Sequence, residues 1–448
     1  MNSQNKKIEL LSSAPIAKAL LAMGIPTMIG MLVNAFYNLA DAWFVAGLGE
    51  SQIGAISVVY PLGQVIVGLG LLFGNGAASY ISRLLGRGDV KTADKAASTA
   101  LYGSLSVGAA FILVSMAFLK PILKLLGATD SILPHAAIYG SIYIVSCIFN
   151  VFNVTMNSIM TSEGAAKTTM CALLTGAALN LVLDPLFIHV LGLGVAGAAI
   201  ATAVSQMVST IVYLTYLLRK KSLFHFRIKD ITLTKEMMTE LFKIGFPTLI
   251  FQLLASLSIS LTNNAAGAWG DSAIAGMGVV TRLISIGSLS VFGFIKGFQP
   301  IAGYSYGAGK FDRLKEAIRT SVLWSTVFCV IFGGILALFP SAVVSCFTKN
   351  DSEMIRIGAT ALRANGLSIM LFGFHTVYAS LFLALGKGLE GFLLGACRQG
   401  ICFLPIILLL PAVWGLNGIL YAQPIADVLA AAITALMAIP LHRRLNAA

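Results

Sequence analysis

The sequence predicts an all-α polytopic membrane protein, with twelve transmembrane helices in two pseudo-symmetric six-helix bundles. Three observations carry this. Hydrophobic residues make up 57% of the 448 and charged residues only 11%, with a mean hydropathy of +0.88, so a soluble domain of this composition would lack a polar surface. Apolar runs near or above the roughly 20 residues needed to cross a hydrocarbon core recur along the whole chain. The pattern of the first half then returns in the second.

The spans fall near 15–48, 52–82, 94–120, 132–162, 168–190, 194–218, 238–268, 273–305, 316–340, 354–385, 391–413 and 418–440. Several exceed the minimal length, which tilt, bending or extension past the lipid accommodates. Short polar segments separate them and leave no room for a large soluble domain. Lys6 and Lys7 precede an apolar run too long for a signal-peptide core, so the amino terminus reads as mature first helix.

Basic residues set the orientation. Arg83, Arg87, Lys91 and Lys95 lie between spans two and three; Arg219, Lys220, Lys221, Arg227, Lys229 and Lys235 lie between six and seven; Lys310, Arg313, Lys315 and Arg319 follow span eight. The positive-inside rule makes these loops cytoplasmic and puts both termini on that side of a cytoplasmic (inner) membrane. The opposite loops are shorter and acidic at Glu50 and Asp271, although Lys120, Lys124, Lys349 and Arg356 dilute the contrast. The net charge of +12 is thereby explained by topology, and no nucleic-acid partner is expected. The six cysteines show no paired spacing and read as small buried hydrophobes.

Gly24-Ile25-Pro26-Thr27 returns as Gly245-Phe246-Pro247-Thr248, an offset of 245 − 24 = 221. The same offset pairs Gly49-Glu50-Ser51 with Gly270-Asp271-Ser272, Gly76 with Gly297, and Gly86-Arg87-Gly88 with Gly307-Ala308-Gly309. The later spans repeat more weakly, Gly194-Val195 pairing with Gly418-Ile419. An even number of crossings precedes the second copy, so both copies share one orientation about an axis along the membrane normal. The chain therefore divides into a lobe over 1–218, a basic linker over 219–237 and a second lobe over 238–448. A cavity between lobes that rock against each other is a carrier's design.

An ionised carboxylate in hydrocarbon is costly, so intramembrane acids are functional candidates by default. Asp41, Asp184 and Asp427 fall inside spans, while Glu163 and Glu390 fall at helix ends near basic loops. Asn34, Asn38 and Asp41 lie on one stripe of the first helix with Tyr37 beside it, and Asn180 with Asp184 and Asn153 with Asn157 form further i, i+4 pairs. Carboxylate and amide oxygens suit a proton or a sodium ion, with helix-packing hydrogen bonds as the plainer use of the asparagines.

The second lobe is poorer in charge. Its central spans offer Gln252, Asn263, Asn264, Arg282, Lys296, His375 and Arg398, and only Asp427 as an acid, with Gln423 and small residues near it in sequence. Lys296 and Arg282 are expected at headgroups or helix ends, and His375 as a hydrogen-bonded core residue. Pro26 and its repeat Pro247 interrupt the helical ladder and are candidate hinges. No phosphate loop, metal-ligand cluster or nucleophile elbow is present, which leaves ion coupling as the energy source and argues against an enzyme.

The run Ile25-Pro26-Thr27 through Tyr37-Asn38-Leu39-Ala40-Asp41 is joined by Gly76-Ala77-Ala78-Ser79, Leu85-Gly86-Arg87-Gly88-Asp89 and Asn180-Leu181-Val182-Leu183-Asp184-Pro185. With them go Gly194-Val195-Ala196-Gly197-Ala198-Ala199 with Thr202, Gln299-Pro300 with Tyr304, and Gly307-Ala308-Gly309-Lys310. Taken in order, these motifs resemble the multidrug and toxic compound extrusion (MATE) family, closest to its DinF-like branch. The resemblance implies a monomeric, cofactor-free antiporter that expels cationic or amphiphilic small molecules in exchange for protons or sodium ions.

It further implies a coupling cluster of Asp41, Asn180, Asp184 and Thr202, with any sodium held at Asp41 and Asp184. Tyr139 and Asn157 would line the adjacent cavity together with Asn34, Tyr37, Asn38 and Asn153, and Pro26 would be the bend. The acids that another bacterial branch carries in helices seven and ten are replaced here by Gln252 and His375. A flippase of lipid-linked sugars is the nearest alternative and would need a cavity rich in Arg and Lys; an intramembrane enzyme would need paired acids or histidines at one interface.

Overall fold

The computed structural model describes residues 3–45, 48–347 and 351–447, except the side chains at 3, 38, 39, 41, 42, 50, 271 and 447. Among the described residues there are helices and no strands. A short α1 (Ser3–Ser12) precedes α2 (Ile16–Val45), α3 (Glu50–Gly86), α4 (Val90–Ala117), α5 (Leu119–Leu125), α6 (Leu133–Ser162), α7 (Ala166–Pro185) and α8 (Gly194–Leu218). The second half holds α9 (Lys235–Gly267), α10 (Asp271–Gly307), α11 (Phe311–Leu338), α12 (Pro340–Ser345), α13 (Ser352–Ser368), α14 (Phe372–Ala384), α15 (Gly388–Ala396), α16 (Phe403–Trp414) and α17 (Leu416–Ala447). Twelve helical stretches are long and apolar enough to cross a membrane, in the order the sequence predicts.

Spans ten and eleven are each built of two helices. A 3-10 turn at Ile369–Leu371 joins α13 to α14, and a π-helical turn at Cys397–Ile401 joins α15 to α16. A second π-helical turn, Leu186–Val190, follows Pro185, whose missing amide hydrogen ends the α-helical ladder of α7.

The repeat is visible in the backbone. Gly49 and Gly270 open α3 and α10 with φ of 97° and 93°, and Gly88 and Gly309 turn the chain after those helices with φ of 78° and 68°. Each value lies where side chains with a Cβ are strained. Asp89 then caps α4 by accepting a hydrogen bond from the Thr92 amide at 3.0 Å; the Thr92 side chain, and then this amide, hold its carboxyl below the usual carboxylate range.

The two bundles meet most closely where α2 crosses α10 and α3 crosses α9. A Cβ built on Gly76 would fall 2.2 Å from the Leu241 carbonyl oxygen, and one on Gly245 would fall 2.0 Å from that of Leu72. One on Gly297 would fall 2.5 Å from the Gly24 nitrogen. These positions are related by the 221-residue offset. Gly86 and Gly307, also so related, each approach the other's helix, 2.2 Å from the Tyr304 oxygen and 2.1 Å from the Arg83 oxygen, so the pseudo-two-fold axis passes between them.

All these contacts lie in the half of the molecule nearest the basic loops, called here the basic end. Polar ties reinforce it: Thr27 Oγ1 donates to the Gly293 carbonyl at 2.6 Å, Arg83 pairs with Glu240 at 2.7 Å, and Ser79 donates to the Leu383 carbonyl at 2.5 Å. Farther from the basic end, Gln252 donates to Gln64 at 2.7 Å; among the described residues no cross-bundle side-chain hydrogen bond lies beyond that level. The basic linker lies along the first bundle, His225 binding Asp94 at 2.8 Å and the Thr232 amide donating to Thr99 at 2.9 Å.

Because the seam admits no Cβ at Gly245, Gly245→Ala must push α9 from α3. In a cysteine-free background carrying Ser79→Cys, a membrane-impermeant maleimide applied at the basic end is expected to label about five-fold faster once Gly245→Ala is added. Equal labelling rates would show that the seam does not hold that end shut.

Candidate functional site

In the first bundle, Asn180 and Asp184 sit one turn apart on α7, each 1% exposed. Asn180 Nδ2 donates to Asp184 Oδ1 at 3.2 Å. Asn180 Oδ1 has no hydrogen-bond partner among the described residues, and neither has Ser205 Oγ on α8. The antiparallel register of α7 and α8 follows from Gly176, whose Cβ would meet Ser209 Oγ, and Gly197, whose Cβ would meet the Phe187 carbonyl. That register puts Ser205 at the height of Asn180 and Thr202, which is 9% exposed, within one turn of Asp184.

The helix α2 runs parallel to α7, and Gly30 packs on Leu173. Eleven residues on along each helix, position 41 reaches the height of Asp184. The side chains of Asn38 and Asp41 lie outside the described residues. On the same helix Asn34 is exposed and Tyr37 is half-buried. Pro26 stands within a continuous α2, beside Thr27, whose hydroxyl also approaches the Met23 carbonyl at 2.8 Å. Ser205 was missed in the sequence, although it lies three residues from Thr202 on the same helical face.

The other expected cavity residues divide. Tyr139 is buried and stacks on Tyr143 with ring centres 5.7 Å apart. Asn153 directs its amide to α8, donating to the Gln206 carbonyl at 2.9 Å and side chain at 2.8 Å and accepting from Thr210 at 3.0 Å. Asn157 faces the seam, donating to Tyr213 at 3.4 Å and accepting from the Lys296 ammonium of the second bundle.

Two expectations need correction. Lys296 does not reach toward headgroups; it turns inward to Asn157, because it lies eleven residues, or about 16 Å of helix, inside the Gly307 end of α10. Asp427 has far more than Gln423 for company. Arg398 Nε donates to its Oδ1 at 2.9 Å, Gln423 to the same oxygen at 2.7 Å, and Ser368 to Oδ2 at 2.9 Å, with the guanidinium 4.4 Å from the Phe372 ring centre. Glu163 lies at the end of α6, as the sequence predicts, and is fully buried there: Lys7 at 2.8 Å, Tyr216 at 2.8 Å, Ser222 at 2.9 Å and the Leu223 amide at 2.7 Å all donate to it. His375 is hydrogen-bonded to Thr434 at 2.8 Å, and Arg282 is exposed.

The MatE family model matches this chain twice, over residues 26–186 and 247–409. The two matches begin 247 − 26 = 221 residues apart, the spacing of the internal repeat. The chain belongs to the MATE family. The multidrug export protein MepA of Staphylococcus aureus (strain NCTC 8325 / PS 47) is 29% identical over 444 residues, covering 99% of this chain and 98% of MepA. MepA of Staphylococcus saprophyticus is 28% identical with the same coverage. A solved structure described as the outward-facing conformation of a multidrug resistance MATE family transporter of the MOP superfamily is 26% identical, with a TM-score of 0.93 over 99% of each chain.

The Arg398–Asp427 pair gives a stability test for this MATE chain. Asp427→Leu leaves a buried guanidinium unpaired, a loss of about 3–5 kcal/mol, and should lower the unfolding temperature in detergent sharply. Adding Arg398→Met should restore most of it; a double variant as unstable as the single one would show that the pair is not the source of the loss.

Proposed function

We propose that this MATE-family protein is a secondary multidrug exporter that expels cationic or amphiphilic small molecules in exchange for protons or sodium ions. The observation that carries the reading is the buried Asn180–Asp184 pair, with a carbonyl oxygen left over among the described residues, at the height of position 41. Oxygen ligands with an acid among them can take up a proton or a hard cation, and an acid that changes charge inside hydrocarbon changes the stability of whatever packing surrounds it. The staphylococcal relatives are multidrug export proteins, which supports the cargo.

Asp41, Asn180, Asp184 and Thr202 form the coupling cluster in this reading, with Ser205 as a further oxygen. Asn34, Tyr37, Asn38, Tyr139 and Asn157 face the cargo. The basic end is cytoplasmic by the positive-inside rule, so both termini are inside and a conformation tied shut at that end has access from outside. The lobes over 1–218 and 238–448 rock about the seam, joined by the 219–237 linker, and the protein works as a monomer in the cytoplasmic membrane.

Binding of the coupling ion neutralises the cluster and repacks the first bundle, which releases cargo outward; return to the inward-open state lets the ion leave and cargo reload. One charge moved through 100 mV is worth about 2.3 kcal/mol, enough for a cargo gradient of roughly fifty-fold with tight coupling. A lipid-linked pyrophosphate would demand several cations, whereas among the described residues Lys296 is the one charged group lining the seam cavity.

Everted vesicles with separately imposed proton and sodium gradients test this. Asp41→Asn and Asp184→Asn are expected to cut drug uptake by about ten-fold or more at unchanged membrane abundance, under whichever gradient drives the unaltered protein. Uptake that ignores both gradients, or survives both substitutions, overturns the coupled-exchange reading.

A further inference from the structure

A small cavity of about 20 Å³ lies in the seam between the bundles. Asn75, Ser79, Ser82 and Ser158 line it from the first bundle, and Lys296 and Gln299 from the second. Its volume suits about one water molecule. Among the described residues no carboxylate lies within 4.0 Å of the Lys296 ammonium, and its side-chain acceptor is the neutral Asn157 Oδ1.

The walls are donors as well. Asn75 accepts from Ser158 at 2.9 Å through Oδ1, which leaves its NH₂ available, and Gln299 has no side-chain hydrogen bond among the described residues. A lone ammonium set among amide donors and away from any acid is the chemistry of an anion cradle, in which a neutral carbonyl stands where an ionised acceptor would bind more strongly.

We propose that Lys296, with Asn75 and Gln299, is a carboxylate-binding subsite, by which this exporter tells cargo that carries an acid group from cargo that lacks one. This rests on the exporter reading. When the seam opens at the basic end, Lys296 leaves Asn157 and the cavity widens to admit a carboxylate. When the seam closes, the cavity shrinks below the size of that group and Asn157 Oδ1 takes the ammonium back. The asparagine thus competes with the cargo's acid and helps to expel it.

Binding of a zwitterionic fluoroquinolone and of its decarboxylated analogue to the full chain in nanodiscs tests the subsite. The unaltered protein should prefer the acid by about ten-fold. Lys296→Gln should abolish that preference while leaving the decarboxylated compound bound within about two-fold, and Lys296→Arg should keep it. Equal weakening of both compounds would mean that the lysine only ties the bundles together, and an unchanged preference would place the acid elsewhere; either result overturns the subsite. If the decarboxylated amine is still bound and exported from everted vesicles in those cases, the exporter reading stands. If the unaltered protein neither binds nor exports either compound, both readings fall.

Discussion

The close approach of backbone to backbone along the glycine seam governs the rest of the molecule. Leu72 and Leu241 present carbonyl oxygens where Gly245 and Gly76 have no Cβ, and Gly24 lies against Gly297. Only at such separations can Thr27 reach the Gly293 carbonyl or Arg83 reach Glu240. Dispersion falls steeply with distance, so a gap of an ångström or two along this line forfeits most of what joins the bundles. Such an interface is made or broken as a unit, which suits a two-state carrier better than a graded hinge.

Buried polar groups are treated in two ways. Asp427 in the second bundle is enclosed by Arg398, Gln423 and Ser368, so both of its oxygens accept hydrogen bonds. Pairing of that completeness fixes a structure. In the first bundle, Glu163 is just as fully paired, but among the described residues Asn180 keeps an oxygen unused and Ser205 on the next helix does the same. Static support falls to the enclosed acids, and the coupling role proposed above to the neighbourhood of Asn180.

The fold was legible because the bilayer imposes it: length, hydropathy and the position of basic loops give twelve spans without knowledge of any contact. The repeat was legible through glycines whose offset reflects a shared backbone need, as at Gly49 and Gly270. Tertiary pairings were not. Ser368, Arg398 and Asp427 come from three separate helices, and no local pattern links them. Lys296 was misplaced because a lone lysine in an apolar run is usually drawn to the interface, and its inward turn depends on Asn157 from the other bundle. Asn153 and Asn157 look alike in the sequence, yet one helical turn directs the first to α8 and the second to the seam.

The amino-terminal helix has its own significance. Lys7 fastens α1 to Glu163 beneath the first bundle, while Lys310 and Arg313 at the head of α11 grip the carbonyls of Ser12 and Ala14 just past its end. A strap anchored on both sides of the joint between the bundles makes cycling speed a property of a helix that lies outside the spans. Loss of Lys7 or Arg313 would therefore retune turnover while leaving untouched which compounds are recognised.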